Sequence, residues 1–180
     1  DNGDDSSENA NDNGGDESNN TVTANLASGT ITVTAPDGWV SQGADGDAQL
    51  WLASNEAALA KTDRSNTDAV ESGEVVILIV PIAAGATPPS IIVSGMREQA
   101  SPDDPFEFTG DAEPITIGEM SGVRAPVGNP IAEGWGYFVT YDDTYKLMVL
   151  GIAGTGEYSD DVDSTVRGVI QSATDVGAVG

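Results

Sequence analysis

The stretch GWGYFVTYDDTYKLMVLGI, residues 134–152, decides the fold. Two runs rich in aromatic and β-branched residues flank the turn-forming pair Asp142-Asp143, which is the local signature of a β-hairpin. Alternation puts Trp135, Tyr137, Val139 and Tyr141 on one face of the first strand, with Phe138 and Thr140 on the other. On the second strand Tyr145, Leu147 and Val149 share a face, and Lys146, Met148, Leu150 and Ile152 share its opposite. Away from the turn, neither strand has a clearly polar side. A sheet that is apolar on both faces needs cover on both, and helices are the usual cover. The expectation is an α+β domain, an antiparallel β-sheet sandwiched between helices in α/β/α layers.

The flanking chain supplies the other pieces. Residues 74–82, EVVILIVPI, are the most apolar run and too short to span a membrane, so they read as the buried central strand. TITVTA at 30–35 alternates as a strand and runs into the turn Pro36-Asp37-Gly38-Trp39. Strands are expected at 39–41, 48–53, 114–119 and 122–125, and a short helix at 55–61. Thr87-Pro88-Pro89 opens a second helix, with Pro in the first turn where its missing N–H costs nothing. Residues 126–133 read as a loop broken by Pro126 and Pro130. Ser159 caps a last helix with Asp160, Asp161 and Asp163 in its first turn, and Val162, Val166, Val169 and Ile170 on one face. After Ala173 the chain is expected to fray.

Residues 1–20, DNGDDSSENANDNGGDESNN, hold seven acids, no base and no large apolar side chain. Such a segment buries too little to offset its ordering entropy. The expected organisation is a disordered acidic tether over residues 1–24, one domain over 25–175, and a frayed tail over 176–180. The chain opens on Asp1 rather than Met, so it is expected to be a processed or trimmed form. The leader resembles the spacer that follows the lipidated cysteine of bacterial surface lipoproteins. That implies an extracellular or periplasmic protein anchored through an upstream lipidated residue, without insertion of the domain itself in the membrane.

Thirty acids against six bases give a net charge of -24. Without the seven acids of the leader, 23 acids and 6 bases still leave -17. That field repels phosphate backbones and anionic headgroups, which argues against nucleic acid as a partner. The chain has neither Cys nor His, so Ser-His-Asp and Cys-His chemistry are excluded. Lys61 and Lys146 stand where solvated lysines normally stand, at a helix end and beside a hairpin turn. No feature singles out a catalytic carboxylate pair, and the expectation is no enzymatic activity. Hard oxygen ligands on turns make calcium the sharpest alternative, with Asp45, Asp47, Asp142 and Asp143 as the candidate metal residues. Asp103-Asp104 and Asp160, Asp161 and Asp163 also pair acids, the last group reading as helix N-terminal charge. A salt-adapted acidic surface is a further reading, as is a protein-interaction module using Trp39, Trp51 or Trp135.

The early strand into Pro36-Asp37-Gly38-Trp39, the segment Met120-Ser121-Gly122-Val123-Arg124-Ala125, the 137–152 hairpin and the closing helix through Ile170-Gln171-Ser172 together resemble the PsbP-like fold. That fold is shared by an extrinsic subunit of photosystem II and by small exported bacterial lipoproteins. The resemblance spans about residues 29–173 and implies the fold, an exported location and a non-enzymatic binding or accessory role with a protein partner. It implies no catalytic residue.

Overall fold

The computed structural model of the protein describes residues 20–43, 46–62, 70–100 and 106–178. Eleven strands and three helices run in the order β1 (Thr21–Leu26), β2 (Gly29–Thr34), β3 (Val40–Gln42), β4 (Leu50–Ala53), α1 (Glu56–Ala60), β5 (Val75–Ala83), α2 (Pro89–Gln99), β6 (Glu107–Phe108), β7 (Glu113–Ile117), β8 (Met120–Asn129), β9 (Ala132–Thr140), β10 (Tyr145–Gly154), α3 (Asp160–Gln171) and β11 (Thr174–Gly177). The large sheet is antiparallel in the order β3-β4-β5-β10-β9-β8-β6, with β7 also paired to β8. A second antiparallel sheet has the order β1-β2-β11.

The α/β/α layering is therefore corrected: the protein is mostly β, with two antiparallel sheets and three short helices. One face of the large sheet, here the near face, is covered by the small sheet together with α3, with β2 over β5 and α3 over β10 and β7. The opposite, far face carries α1 and α2. The near-face core joins Ala24, Leu26, Ile31 and Val33 of the small sheet to Leu50, Leu52, Ile77, Ile79, Tyr137, Val139, Leu147 and Val149 of the large one. Val166, Val169 and Ile170 of α3 complete it. Two strands made the difference to the layering. β1 occupies Thr21–Leu26, overlapping the last four residues of the tether expected over 1–24, and β11 occupies Thr174–Gly177, where fraying was expected. Both pair with β2, and Thr30 Oγ1 donates to the Asp175 carbonyl across 3.0 Å to pin β11 in place.

The hairpin at 134–152 forms as read. β9 and β10 pair from Thr140 opposite Lys146 to Ala132 opposite Gly154. Asp142 closes the turn, its Oδ1 accepting from the Thr144 and Tyr145 N–H groups at 2.7 and 2.6 Å. β5 lies inside the large sheet, between β4 and β10.

The loop expected at 126–133 is instead a second hairpin. β8 runs through Pro126 to Asn129 and turns at Pro130-Ile131 into β9. Pro126 is tolerated because its carbonyl accepts from Thr109 N–H on the side away from β9. The donor that proline lacks would point the same way, between β7 and β6, so the β8–β9 ladder loses nothing. In the same cross-strand row, beyond Trp135, Gly151 lies where α3 crosses β10, and a Cβ there would meet Val166 Cγ2 at 2.5 Å. Close seating of α3 needs that glycine. Among the described residues no helix is long and apolar enough to cross a membrane.

Candidate functional site

Register places Glu113 opposite Arg124 and Arg124 opposite Tyr137, so three side chains from β7, β8 and β9 stand in one row on the near face. The same row continues through Val149 and Ile79 to Leu50, which makes it polar at one end and core at the other. The first turn of α3 lies over the polar end. Ser159 caps that helix by accepting from Val162 N–H, and this fixes Asp163 one turn in.

Asp163 is the hub of the site. Its carboxylate accepts from the Tyr137 hydroxyl, from Arg124 Nη1 at 3.3 Å and from Arg167 Nη2 at 2.7 Å. Tyr158 Oη lies 3.1 Å from Tyr137 Oη. Arg124 Nε also donates to Glu113 at 2.6 Å, and its guanidinium lies 4.2 Å from the Trp135 ring centroid, a cation–π distance.

Burial pushes the Tyr137 hydroxyl up to about 12, and the hydrogen bond to Asp163 adds to it. The Tyr158 hydroxyl is raised for the same first reason, burial, with Tyr137 next. Burial alone would lower Arg124, but the Glu113 hydrogen bond and the attraction of Asp163 leave it raised. Both phenols therefore keep their protons at neutral pH, and the arginine stays charged. Apart from the buried Arg167 Nε, which has no partner, the donors and acceptors named here meet one another, so the cluster's evident work is to fasten α3 to β8 and β9.

Of the metal candidates, Asp47, Asp142 and Asp143 lie among the described residues, all three exposed. Asp45 lies outside the described residues, as do Asp103 and Asp104. Asp47 is exposed, and its carbonyl accepts from Ala27 N–H. Asp142 is held by the turn, and those two N–H donors keep its carboxyl below the ordinary range. Asp143 is its exposed neighbour. Among the described residues no three acids gather as a metal site would require. Asp163 is not the plain helix charge that its position suggested. Its clue in the sequence is that it borders the apolar stripe of Val166 and Ile170, where a carboxylate needs a partner, and Arg167 follows at i+4.

Neither lysine is the solvated one expected. Lys146 is only 4% exposed, and its Nζ donates to the carbonyls of Gly85 and Asp142 at 2.8 and 3.0 Å, tying the β5–α2 loop to the hairpin turn. Lys61 donates to Glu74 at 2.6 Å with both side chains buried. The Glu74 hydrogen bond raises Lys61. For Glu74, burial pushes upward, but the bonds from Lys61 and the Glu71 N–H hold the carboxyl below its ordinary value.

Open clefts also lie among the described residues. One, about 490 Å³, is lined by Ile117, Gly118, Met120, Tyr141, Gln171 and Ala173 among others. Another, about 440 Å³, lies between residues 85–89 and the hairpin end with Asp142, Asp143 and Lys146. The three tryptophans are half-buried: Trp39 and Trp135 pack on the near-face core, and Trp51 on the small cluster of Ala53, Ala58 and Val76. No protein-family model and no curated protein matches the chain.

Proposed function

We propose that this chain is a non-enzymatic binding or accessory module of an exported, surface-tethered protein, and that it engages another polypeptide. The observation that carries this reading is the placement of polar and apolar groups. Arg124, Tyr137, Tyr158 and Asp163 use their hydrogen bonds on one another, whereas Ile91 and Met96 of α2 stand 58% and 37% exposed. Apolar side chains left in water on an ordered helix favour contact with a partner. The acidic, Gly/Ser/Asn-rich leader suits a spacer that holds a domain away from its anchor.

Photo-crosslinking on the surface of the source cells tests the reading, with a benzophenone side chain placed at Ile91 and, as control, at Thr116 on β7. A discrete protein adduct from position 91 and none from 116 is the expected result. No adduct at 91, or a substrate turnover by the purified protein that Tyr158→Phe abolishes without unfolding it, would overturn the reading.

A further inference from the structure

The cleft of about 440 Å³ at the hairpin end lies between two segments that are already tied to each other. One wall is the 85–89 segment, and the other is the β9–β10 turn. Ala84 N–H and Gly85 N–H both donate to the Thr144 carbonyl, at 3.1 and 2.9 Å, and Thr87 N–H donates to the Ala84 carbonyl at 3.0 Å. Asp142 Oδ1 fixes the turn from its own side. A ligand would meet walls already set, which keeps the ordering cost of binding small.

The Lys146 ammonium lies where the two walls join. The residue is 4% exposed, and its two acceptors, the carbonyls of Gly85 and Asp142, belong one to each wall. Among the described residues no carboxylate stands within ion-pair distance of it. An ammonium has three N–H donors, so one is left over at the base of the cleft. Burying a charge against neutral carbonyls alone is unfavourable, and a carboxylate at the third donor would offset it. The start of α2 lies in the same wall, at Pro88 and Pro89, and no side chain caps it. Its positive end also favours an anion.

The rim carries the opposite sign. Asp143 is exposed and has no partner among the described residues, and Asp142 engages only Oδ1. A bare anion would be repelled by both carboxylates, in a protein of net charge -24. A bare cation would meet Lys146. A molecule with both signs on neighbouring atoms meets each with its opposite. We infer that the cleft takes a small zwitterion of the α-amino acid class. Its carboxylate accepts from Lys146 Nζ, its ammonium faces Asp142 and Asp143, and its side chain lies on the rings of Pro88 and Pro89. This goes beyond the polypeptide-partner reading and does not depend on it.

Backbone-amide NMR on the full chain at fixed ionic strength tests the inference. The probe is L-valine, beside isovalerate and isobutylammonium, the same skeleton without the amino or without the carboxylate group. Valine should shift the amides of Gly85, Thr87 and Asp143 saturably, with a Kd on the order of 1 mM, and each control should bind at least about tenfold more weakly. The amide of Thr155, at the other end of β10, should not move. Asp143→Asn, at an exposed position that does not hold the turn, should weaken valine binding about fivefold and leave isovalerate no weaker. Lys146→Met should abolish the valine shifts. That variant also loses two bonds between the walls, and Asp143→Asn carries the test if it does not fold.

No saturable shift with valine would overturn the inference. Isovalerate binding as tightly as valine would make the cleft a plain anion site, isobutylammonium doing so would make it a cation site, and either result overturns the zwitterion. So would valine binding that Asp143→Asn leaves at the parent's affinity.

Discussion

The two faces of the large sheet share every strand, and they are finished differently. On β10, alternate residues Leu147 and Val149 point to the near face and are 1% exposed, while Met148 and Leu150 point to the far face and are half-buried. The near face is closed by a second sheet and an amphipathic helix, and its polar end is tied off by Asp163, Arg124 and Tyr137. The far face carries two helices, α1 over β3, β4 and β5 and α2 over β8 and β9, and it leaves Val80, Met148 and Leu150 partly exposed. Apolar residues at neighbouring positions thus meet different surroundings: one set is sealed in the core, and the other keeps part of its surface in water. Only the cover tells them apart.

The largest expected contrast is along β10 itself. Leu147→Ala should cost about 3–4 kcal/mol, because a closed core cannot collapse around the lost side chain. Leu150→Ala should cost about 1–2 kcal/mol, since part of that side chain already meets water. Urea unfolding of the two variants measures both, and equal losses would break the comparison.

A second contrast comes from pH. Tyr137 ionises near 12 in the folded protein against an ordinary 10.0. Below the ordinary value both states keep the proton, and the stabilisation is whole. Above it the unfolded chain ionises first, so stability is lost as pH rises through the folded value, by about 2–3 kcal/mol. Tyr158 is shifted in the same direction and adds to the loss. Urea midpoints across that alkaline window should fall less steeply in Tyr137→Phe than in the parent.

Smaller still, Arg124→Met should destabilise by about 1–2 kcal/mol, since Asp163 keeps Arg167 and Tyr137 when Arg124 goes. Arg124→Lys should restore little of this, because an ammonium cannot bond Glu113 and Asp163 from one planar fork. Smallest of all, Ile91→Ser should move stability by less than about 0.5 kcal/mol, as expected of a side chain that is 58% exposed. Thermal unfolding is sensitive enough for each of these.

Much of this was legible in the sequence where the signal is local. The hairpin, the buried strand at β5, the capped α3 and the proline-led α2 each announce themselves within a few residues. The layering was not legible, because it depends on β1 and β11 pairing with β2. β11 joins β2 from about 145 positions away, is four residues long and carries a register shift beside Asp175, whose φ is +52°. No window of sequence holds both partners. Pro126 misled for a related reason: a proline breaks a strand only when its missing donor faces a partner, and which side it faces is a tertiary fact.

The polar site was hidden in the same way. Asp163 in the first turn of a helix satisfies a local rule, and that rule accounts for it without Arg124 or Tyr137. Lys146 beside a turn and Lys61 at a helix end likewise look solvated until the β5–α2 loop and Glu74 close over them.

The most direct test of a sealed face against an open one is a pair of polar substitutions at adjacent positions on β10. Val149→Gln and Met148→Gln are compared by urea unfolding of the full chain. The account predicts that Val149→Gln costs about 3 kcal/mol or more, because the amide enters a core with no partner for it, while Met148→Gln stays within about 1 kcal/mol. Comparable large losses at both positions would mean that the far face is as closed as the near one, and the division between a sealed face and a partly open one would fall.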